Sequence, residues 1–344
     1  MTRAAAIEAF LDAAGWSGAA RLPLAGDASA RRYLRLARGA DRAILMDAPP
    51  ESGLGVAPFL AVTGWLRGLG LSAPEVLARD AAAGLVLLED LGDDLFIRLA
   101  ADPRREMEIY EAAIDLLADL HAEAPPPPAE GWSLPPYDAA VLTREMRLVP
   151  EWYLPAAGEA SSELAAEFEA QTAPIVAIAS EGPRSIVYRD YHAENLIWLP
   201  GRPGPARVGL LDYQDMLWGH PAYDVVSLLE DARRDVAPAL AERLLARYLA
   251  RSGQDAQAFR RAAHALAAQR NLKILGLFVR LARRDGKGQY LRLLPRVHAH
   301  LMRDLAHPEL AGLRAFAARR LPPPESLQAE FLTPGLPNAG AAAP

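Results

Sequence analysis

The stretch that most constrains this 344-residue chain lies just past its middle. There the apolar run Ile186-Val187-Tyr188 leads into Arg189-Asp190-Tyr191-His192-Ala193-Glu194-Asn195, and a second run, Val208-Gly209-Leu210-Leu211, leads into Asp212-Tyr213-Gln214-Asp215. Both runs are short and strand-like, and each delivers polar side chains at its end. Four residues separate Asp190 from Asn195, and sixteen separate Asn195 from Asp212. Phosphoryl transfer from a nucleotide asks for these groups: a carboxylate to orient the attacking hydroxyl and accept its proton, and an amide oxygen with a second carboxylate to hold Mg²⁺ against the phosphates. A solvated Asp, an Asx-turn Asn and a surface Asp falling at such intervals by chance is the competing reading; the flanking strands and the order of the groups weigh against it.

Composition narrows the setting. A hydrophobic fraction of 51% is that of a globular protein, and the length suggests two lobes. Without cysteine there is no disulfide framework and no thiolate ligand or nucleophile. No signal segment opens the sequence, and no apolar run approaches the roughly twenty residues that span a bilayer. The expectation is a cytoplasmic protein with no membrane partner. A net charge of −6 speaks against a general nucleic-acid binder. Of 37 Lys and Arg residues only Lys273 and Lys287 are lysine, so no lysine from an N-terminal strand can reach a nucleotide.

Along the chain, Thr2 can cap a first helix with Ile7, Phe10 and Leu11 as its apolar stripe. Strand-like runs follow at 20–24, 33–36, 43–46, 76–78 and 84–88, with a helical pattern at 56–69. Helical spacing returns at 106–121, a Pro-rich connector covers 124–136, and helical patterns dominate from 224 to about 313. The turn Gly26-Asp27-Ala28-Ser29 offers backbone N–H groups that can face phosphates, although a plain hairpin turn explains it as well. The 43–46 strand holds Met46 and no lysine, and the 56–69 helix has no Glu, so a cation for phosphates must be an arginine here. Arg31, Arg32 or Arg35 can supply that cation instead, since guanidinium binds phosphate bidentately.

The D-x₄-N and later Asp resemble the catalytic loop and metal motif shared by protein kinases and the aminoglycoside phosphotransferase-like superfamily. Gly26-Asp27-Ala28-Ser29 with Arg31-Arg32-Tyr33, Met46-Asp47-Ala48-Pro49-Pro50-Glu51 and Leu88-Glu89-Asp90-Leu91-Gly92-Asp93 are similar to one subgroup: the anomeric amino-sugar kinases of bacterial cell-wall recycling. So are Glu151-Trp152-Tyr153-Leu154 and Arg283-Arg284-Asp285-Gly286-Lys287. The likeness spans residues 5 to 315 and includes the missing lysine; Ala30, Ala193, Tyr188 and Tyr191 depart from the pattern. It implies an α+β, bilobal protein-kinase-like fold, with a small antiparallel-sheet ATP-binding N-lobe (1–91) and a larger mostly helical C-lobe (92–320); the Pro/Ala/Gly-rich stretch 321–344, with little periodicity, reads as a flexible tail.

It also implies transfer of the γ-phosphate of ATP, with Mg²⁺, to the C1 hydroxyl of N-acetylmuramate and N-acetylglucosamine. Asp190 is then the catalytic base and Asn195 and Asp212 the metal ligands. Asp27, Ser29, Arg31, Arg32, Glu89 and Leu91 are expected at ATP; Gln214, Asp215, Glu145, Trp152, Arg270 and Lys273 at the sugar. His192 reads as structural and Asp224 as an anchor of the catalytic loop. From residue 261 to 303 there are ten basic residues and one acid, Asp285. That suits a carboxylate-bearing sugar better than a polycation, although a solvated helix face accounts for most of those charges. Two other functions stay open: a kinase of the same fold acting on an aminoglycoside, a choline-like amine or another sugar, and a non-catalytic ATP-binding regulator. The sequence leaves the oligomeric state open.

Overall fold

A computed structural model describes residues 2–24, 31–53 and 55–327. The chain divides into two compact units, one made of Met1–Leu116, Pro125–Leu134 and Ala193–Met216, the other of Leu117–Ala124, Pro135–His192 and Leu217–Pro344.

In the first unit, helix α1 (Arg3–Ala13) is capped by the Thr2 hydroxyl, which accepts from Ala5 N at 3.3 Å. Strands β1 (Ala20–Pro23), β2 (Arg32–Arg38), β3 (Asp41–Asp47), β4 (Val76–Asp80) and β5 (Leu85–Glu89) form an antiparallel sheet in the order β1-β2-β3-β5-β4. Period-two alternation sorts its faces. Leu36, Ala43, Leu45, Leu85 and Leu87 pack with Phe10, Leu11 and Trp16, while Tyr33, Arg35, Ile44 and Leu88 point into a cleft on the opposite face. Each large apolar side chain buried in that core contributes roughly 1.5–3 kcal/mol. Arg3 of α1 ties the sheet end by bonding Asp47 (Nε to Oδ1 2.9 Å). Helix α2 (Ala57–Gly68), helix α3 (Phe96–Leu99) and most of α4 (Pro103–Ala122) belong to this unit, as does the hairpin of β7 (Leu196–Trp198) and β8 (Val208–Leu210).

The second unit is mostly helical. Helix α5 (Ala139–Met146) runs into a π-turn at Val149–Tyr153 and the short α6 (Leu154–Ala156); α7 (Ser162–Ser180), α8 (Ala222–Leu229), α9 (Pro238–Ser252), α10 (Ala256–Asp285), α11 (Leu294–Asp304) and α12 (Ala311–Arg320) follow. One small antiparallel pair, β6 (Ser185–Val187) with β9 (Leu217–Gly219), sits among them. The 30-residue α10 is the axis of this unit, starting at the Asp255 cap and ending at left-handed Gly286. Gly276 lets α10 touch the segment after α5: a Cβ there would lie 2.2 Å from the Leu148 carbonyl oxygen. Of the expected tail, residues 321–327 are described and 328–344 lie outside the described residues. Leu321 is buried and the Pro322 carbonyl accepts from Tyr153 Oη at 2.8 Å.

Candidate functional site

Register brings the two expected metal ligands together. Leu196 pairs with Leu210, and Leu211 N donates to the Asn195 carbonyl at 3.0 Å, so Asn195 and Asp212 emerge at the same end of the β7–β8 hairpin. Asp212 takes a left-handed backbone (φ 59°), which for a non-glycine residue costs about 1 kcal/mol or more. Its surroundings hold that turn. Gln214 Nε2 donates to Asp212 Oδ1 at 2.7 Å, and Tyr213 stacks on Phe59 (ring centroids 5.3 Å apart) while its hydroxyl meets Thr63 Oγ1 at 2.7 Å. Asn195 and Asp212 both line the cleft, a cavity of about 360 Å³ closed on its other side by Tyr33, Arg35 and Ile44 and edged by residues 88–93. An amide oxygen and a carboxylate are hard donors that suit Mg²⁺, an ion that keeps its remaining positions for phosphate oxygens and water. Among the described residues no cluster of three His, Cys, Asp or Glu side chains forms a closed metal cage.

Among the described residues no lysine lines the cleft. Met46 is fully buried, and the Tyr33 hydroxyl donates to its sulfur at 3.6 Å, so an apolar contact fills the place of a lysine. Arg67, the charged residue of α2, faces Glu75 at 3.4 Å. Arg35 reaches the cleft but is chelated by Asp90 (2.7 Å) and Asp93 (2.8 Å), carboxylates that raise its pKa, Asp93 most strongly. Arg32 is exposed and shares the strand face of Leu34 and Leu36, turned away from the cleft. Arg31, just before β2, is buried. Leu91 and Glu89 both line the cleft, and the Glu89 carboxylate is bonded by Arg202 and by Glu75 N (3.2 Å). Asp27 and Ser29 lie outside the described residues.

The loop carrying Asp190 belongs to the second unit, and its anchor is Asp224 of α8. That fully buried carboxylate accepts from the backbone N–H groups of Tyr188 (2.6 Å) and Arg189 (2.9 Å), and meets His121 Nε2 at 3.2 Å. Ser227 Oγ, one turn on, donates to the Arg189 carbonyl at 3.1 Å. Arg189 itself is left-handed, with φ 74°. Its guanidinium bonds Glu145 of α5, which also receives Tyr137 Oη (2.5 Å), Gln269 Nε2 (3.0 Å) and Lys273 Nζ (3.1 Å). Burial alone would raise the Glu145 carboxyl; Lys273 and Arg189 outweigh it and hold the group at about 2. Burial and Arg189 pull the Lys273 ammonium down, but Glu145, Tyr223 and Asp190 leave it raised on balance. His192 is buried and neutral: desolvation first, then Arg233 and Arg270, push it well below the usual imidazole range, and Arg233 donates to its Nε2 at 3.3 Å.

Several residues expected at the sugar are bonded to protein groups. Glu145 is an internal carboxylate, not a group turned to solvent. Gln214 is buried and supports Asp212. Arg270 is 4% exposed and donates to the Glu230 carbonyl at 3.1 Å. Lys273 is half-buried against Glu145 and Tyr223, whereas Arg284, on the same helix, is exposed and paired with Asp285. Trp152 is partly exposed on the π-turn and Asp215 is exposed. Tyr137 and Gln269 went unnoticed in the sequence. The available signal was Glu145 itself, a carboxylate on the same helix face as buried Leu142 and Met146, where a charge must find partners.

A family model described as the phosphotransferase enzyme family matches residues 21–264. The chain is 44% identical over 354 aligned positions to an N-acetylmuramate/N-acetylglucosamine kinase of Caulobacter vibrioides, covering 93% of this chain and 97% of that one. An enzyme of the same description from Pseudomonas aeruginosa is 36% identical, with 88% and 89% covered. Among solved structures, a choline/ethanolamine kinase family protein from Mesorhizobium loti superposes with a TM-score of 0.58 at 15% identity, covering 91% of this chain and 100% of that one. An aminoglycoside phosphotransferase from Streptomyces rimosus does so with 0.51 at 20% identity, covering 77% and 98%. At such identities the likeness is one of fold.

Proposed function

The chain belongs to the phosphotransferase enzyme family, in the branch that holds the N-acetylmuramate/N-acetylglucosamine kinases, and from that premise we propose that it transfers the γ-phosphate of ATP to the anomeric hydroxyl of those two sugars. The observation that carries the reading is the pairing of Asn195 with Asp212 at one hairpin end inside the cleft. Those two residues would hold Mg²⁺, which supplies charge neutralisation at the β- and γ-phosphates. Among the arginines weighed for the phosphates, Arg35 lines the cleft, engaged by Asp90 and Asp93, and Arg31 stands just before its strand. Leu91 gives the base an apolar wall.

Asp190 orients the C1 hydroxyl and takes its proton. The C1 oxygen forms a bond to the γ-phosphorus as the bond from that phosphorus to the β,γ-bridging oxygen breaks, and ADP leaves. A hemiacetal hydroxyl is more acidic than an ordinary sugar alcohol, so a carboxylate base is strong enough. The sugars are those released when peptidoglycan is taken apart, and a role in reclaiming them in the bacterial cytoplasm fits a chain in which no described helix is long and apolar enough to cross a membrane.

The test is ADP release with N-acetylmuramate, N-acetylglucosamine and their methyl glycosides, in which C1 is blocked. Turnover with the free sugars and none with the glycosides is expected. Equal turnover with the glycosides would move the acceptor to another hydroxyl, and turnover with amines alone would replace the substrate class.

A further inference from the structure

The strongest unabsorbed feature is the buried ion cluster around Glu145. Its carboxylate is saturated: Oε1 faces the Arg189 guanidinium and Lys273 Nζ, and Oε2 receives Tyr137 Oη and Gln269 Nε2. Four donors fill the roughly four lone-pair directions that a carboxylate offers, so nothing is left for a sugar hydroxyl. Arg189 meanwhile stands in a conformation that a long side chain adopts only when its surroundings over-determine it. Three grips do so: Asp224 on its N–H, Ser227 on its carbonyl and Glu145 on its guanidinium. Two come from α8 and the third from α5. The residue so gripped is the one before Asp190.

Resting on the proposed function, we propose that Glu145 is a positioning residue for the transfer: by holding the Arg189 guanidinium it maintains the left-handed turn that aims Asp190 at its acceptor. Lys273 shares Glu145, which keeps this second cation of the cluster from competing for Asp190. Glu145 touches neither substrate. Glycine adopts a left-handed backbone without strain, so a chain with glycine at 189 no longer needs the clamp.

A double-mutant cycle reads this directly. Glu145→Gln should lower kcat about 30-fold with the KM for ATP within about twofold of wild type, and Arg189→Gly should lower kcat by no more than about fivefold. Combined, the two should fall within about twofold of Arg189→Gly alone. Equal loss from Glu145→Gln in both backgrounds would overturn the proposal. So would a loss confined to the sugar KM, or a lowered Tm with unchanged kcat per folded enzyme. If Glu145→Gln does not fold, Glu145→Asp, which keeps the charge but shortens the reach, gives the same comparison. Hydrogen exchange at the Tyr188 and Arg189 amides separates this idea from the functional one. If wild type phosphorylates neither sugar, the substrate reading fails, and the clamp still stands or falls on whether Glu145→Gln speeds that exchange at least about tenfold.

Discussion

Arg189 and Asp212 both take left-handed backbone, at φ 74° and 59°, and each stands at or next to a group assigned to the chemistry. They are held by different means. Around Arg189 the support is ionic, buried and drawn from distant parts of the sequence: Asp224, Ser227 and Glu145, with Tyr137, Gln269 and Lys273 behind Glu145. Around Asp212 the support includes a neutral amide two residues on and the stacking of Tyr213 on Phe59. A base that must point at one hydroxyl needs its direction set before substrate arrives, and buried ion pairs, costly to desolvate, give that rigidity when fully bonded. A metal ligand receives part of its geometry from the ion and the phosphates it binds, so lighter support is sufficient there.

Substitutions can break or sharpen that contrast. Asp190→Asn removes the base and should lower kcat about 10³-fold with nucleotide affinity, measured by calorimetry, within about twofold of wild type. A binding module would be indifferent in both readouts. Asp212→Asn should lower kcat about 10²-fold and raise the Mg²⁺ concentration at half-maximal rate, because a carboxylate ligand becomes a neutral one.

The pinned side carries an acid sensitivity of its own. His220 Nδ1 accepts from Ala222 N at 3.1 Å at the start of α8, the helix that presents Asp224 and Ser227. Burial, then the charges of His121 and Arg184, lower His220 to about 4. The unfolded imidazole therefore binds a proton before the folded one. This contribution is complete above about pH 6.5 and is lost as pH falls from there towards about 4, an upper limit of roughly 3 kcal/mol. Urea unfolding across that window should show the decline, and His220→Asn should flatten it; an equally steep decline in the variant would remove His220 from the account. The smallest effect belongs to the light support of the other turn. Gln214→Leu should raise the half-saturating Mg²⁺ about tenfold while kcat at saturating Mg²⁺ stays within about threefold of wild type. A larger kcat loss than that of Glu145→Gln would invert the comparison.

The five strands of the sheet were legible because their apolar runs alternate or are bounded by Gly and Asp, and α2 and α4 because their apolar spacing is helical. The meeting of Asn195 and Asp212 was legible because two strand-like runs precede polar residues at fixed intervals. The clamp was not. Glu145 meets partners 44, 124 and 128 positions away (189 − 145, 269 − 145 and 273 − 145), and a single sequence carries no sign of such pairings. Positive φ at an Arg and an Asp also has no residue signature, since glycine normally marks it. Gly276 did carry one: a glycine inside a helical pattern commonly marks close approach, here of α10 to the Leu148 carbonyl.

The most direct measurement is ³¹P NMR of the wild-type enzyme with Mg·ATP and N-acetylmuramate. The account predicts ADP and a new phosphomonoester signal split into a doublet by the anomeric proton, absent with Asp190→Asn. A product lacking that coupling, or ATP left intact with both N-acetylmuramate and N-acetylglucosamine, would contradict it.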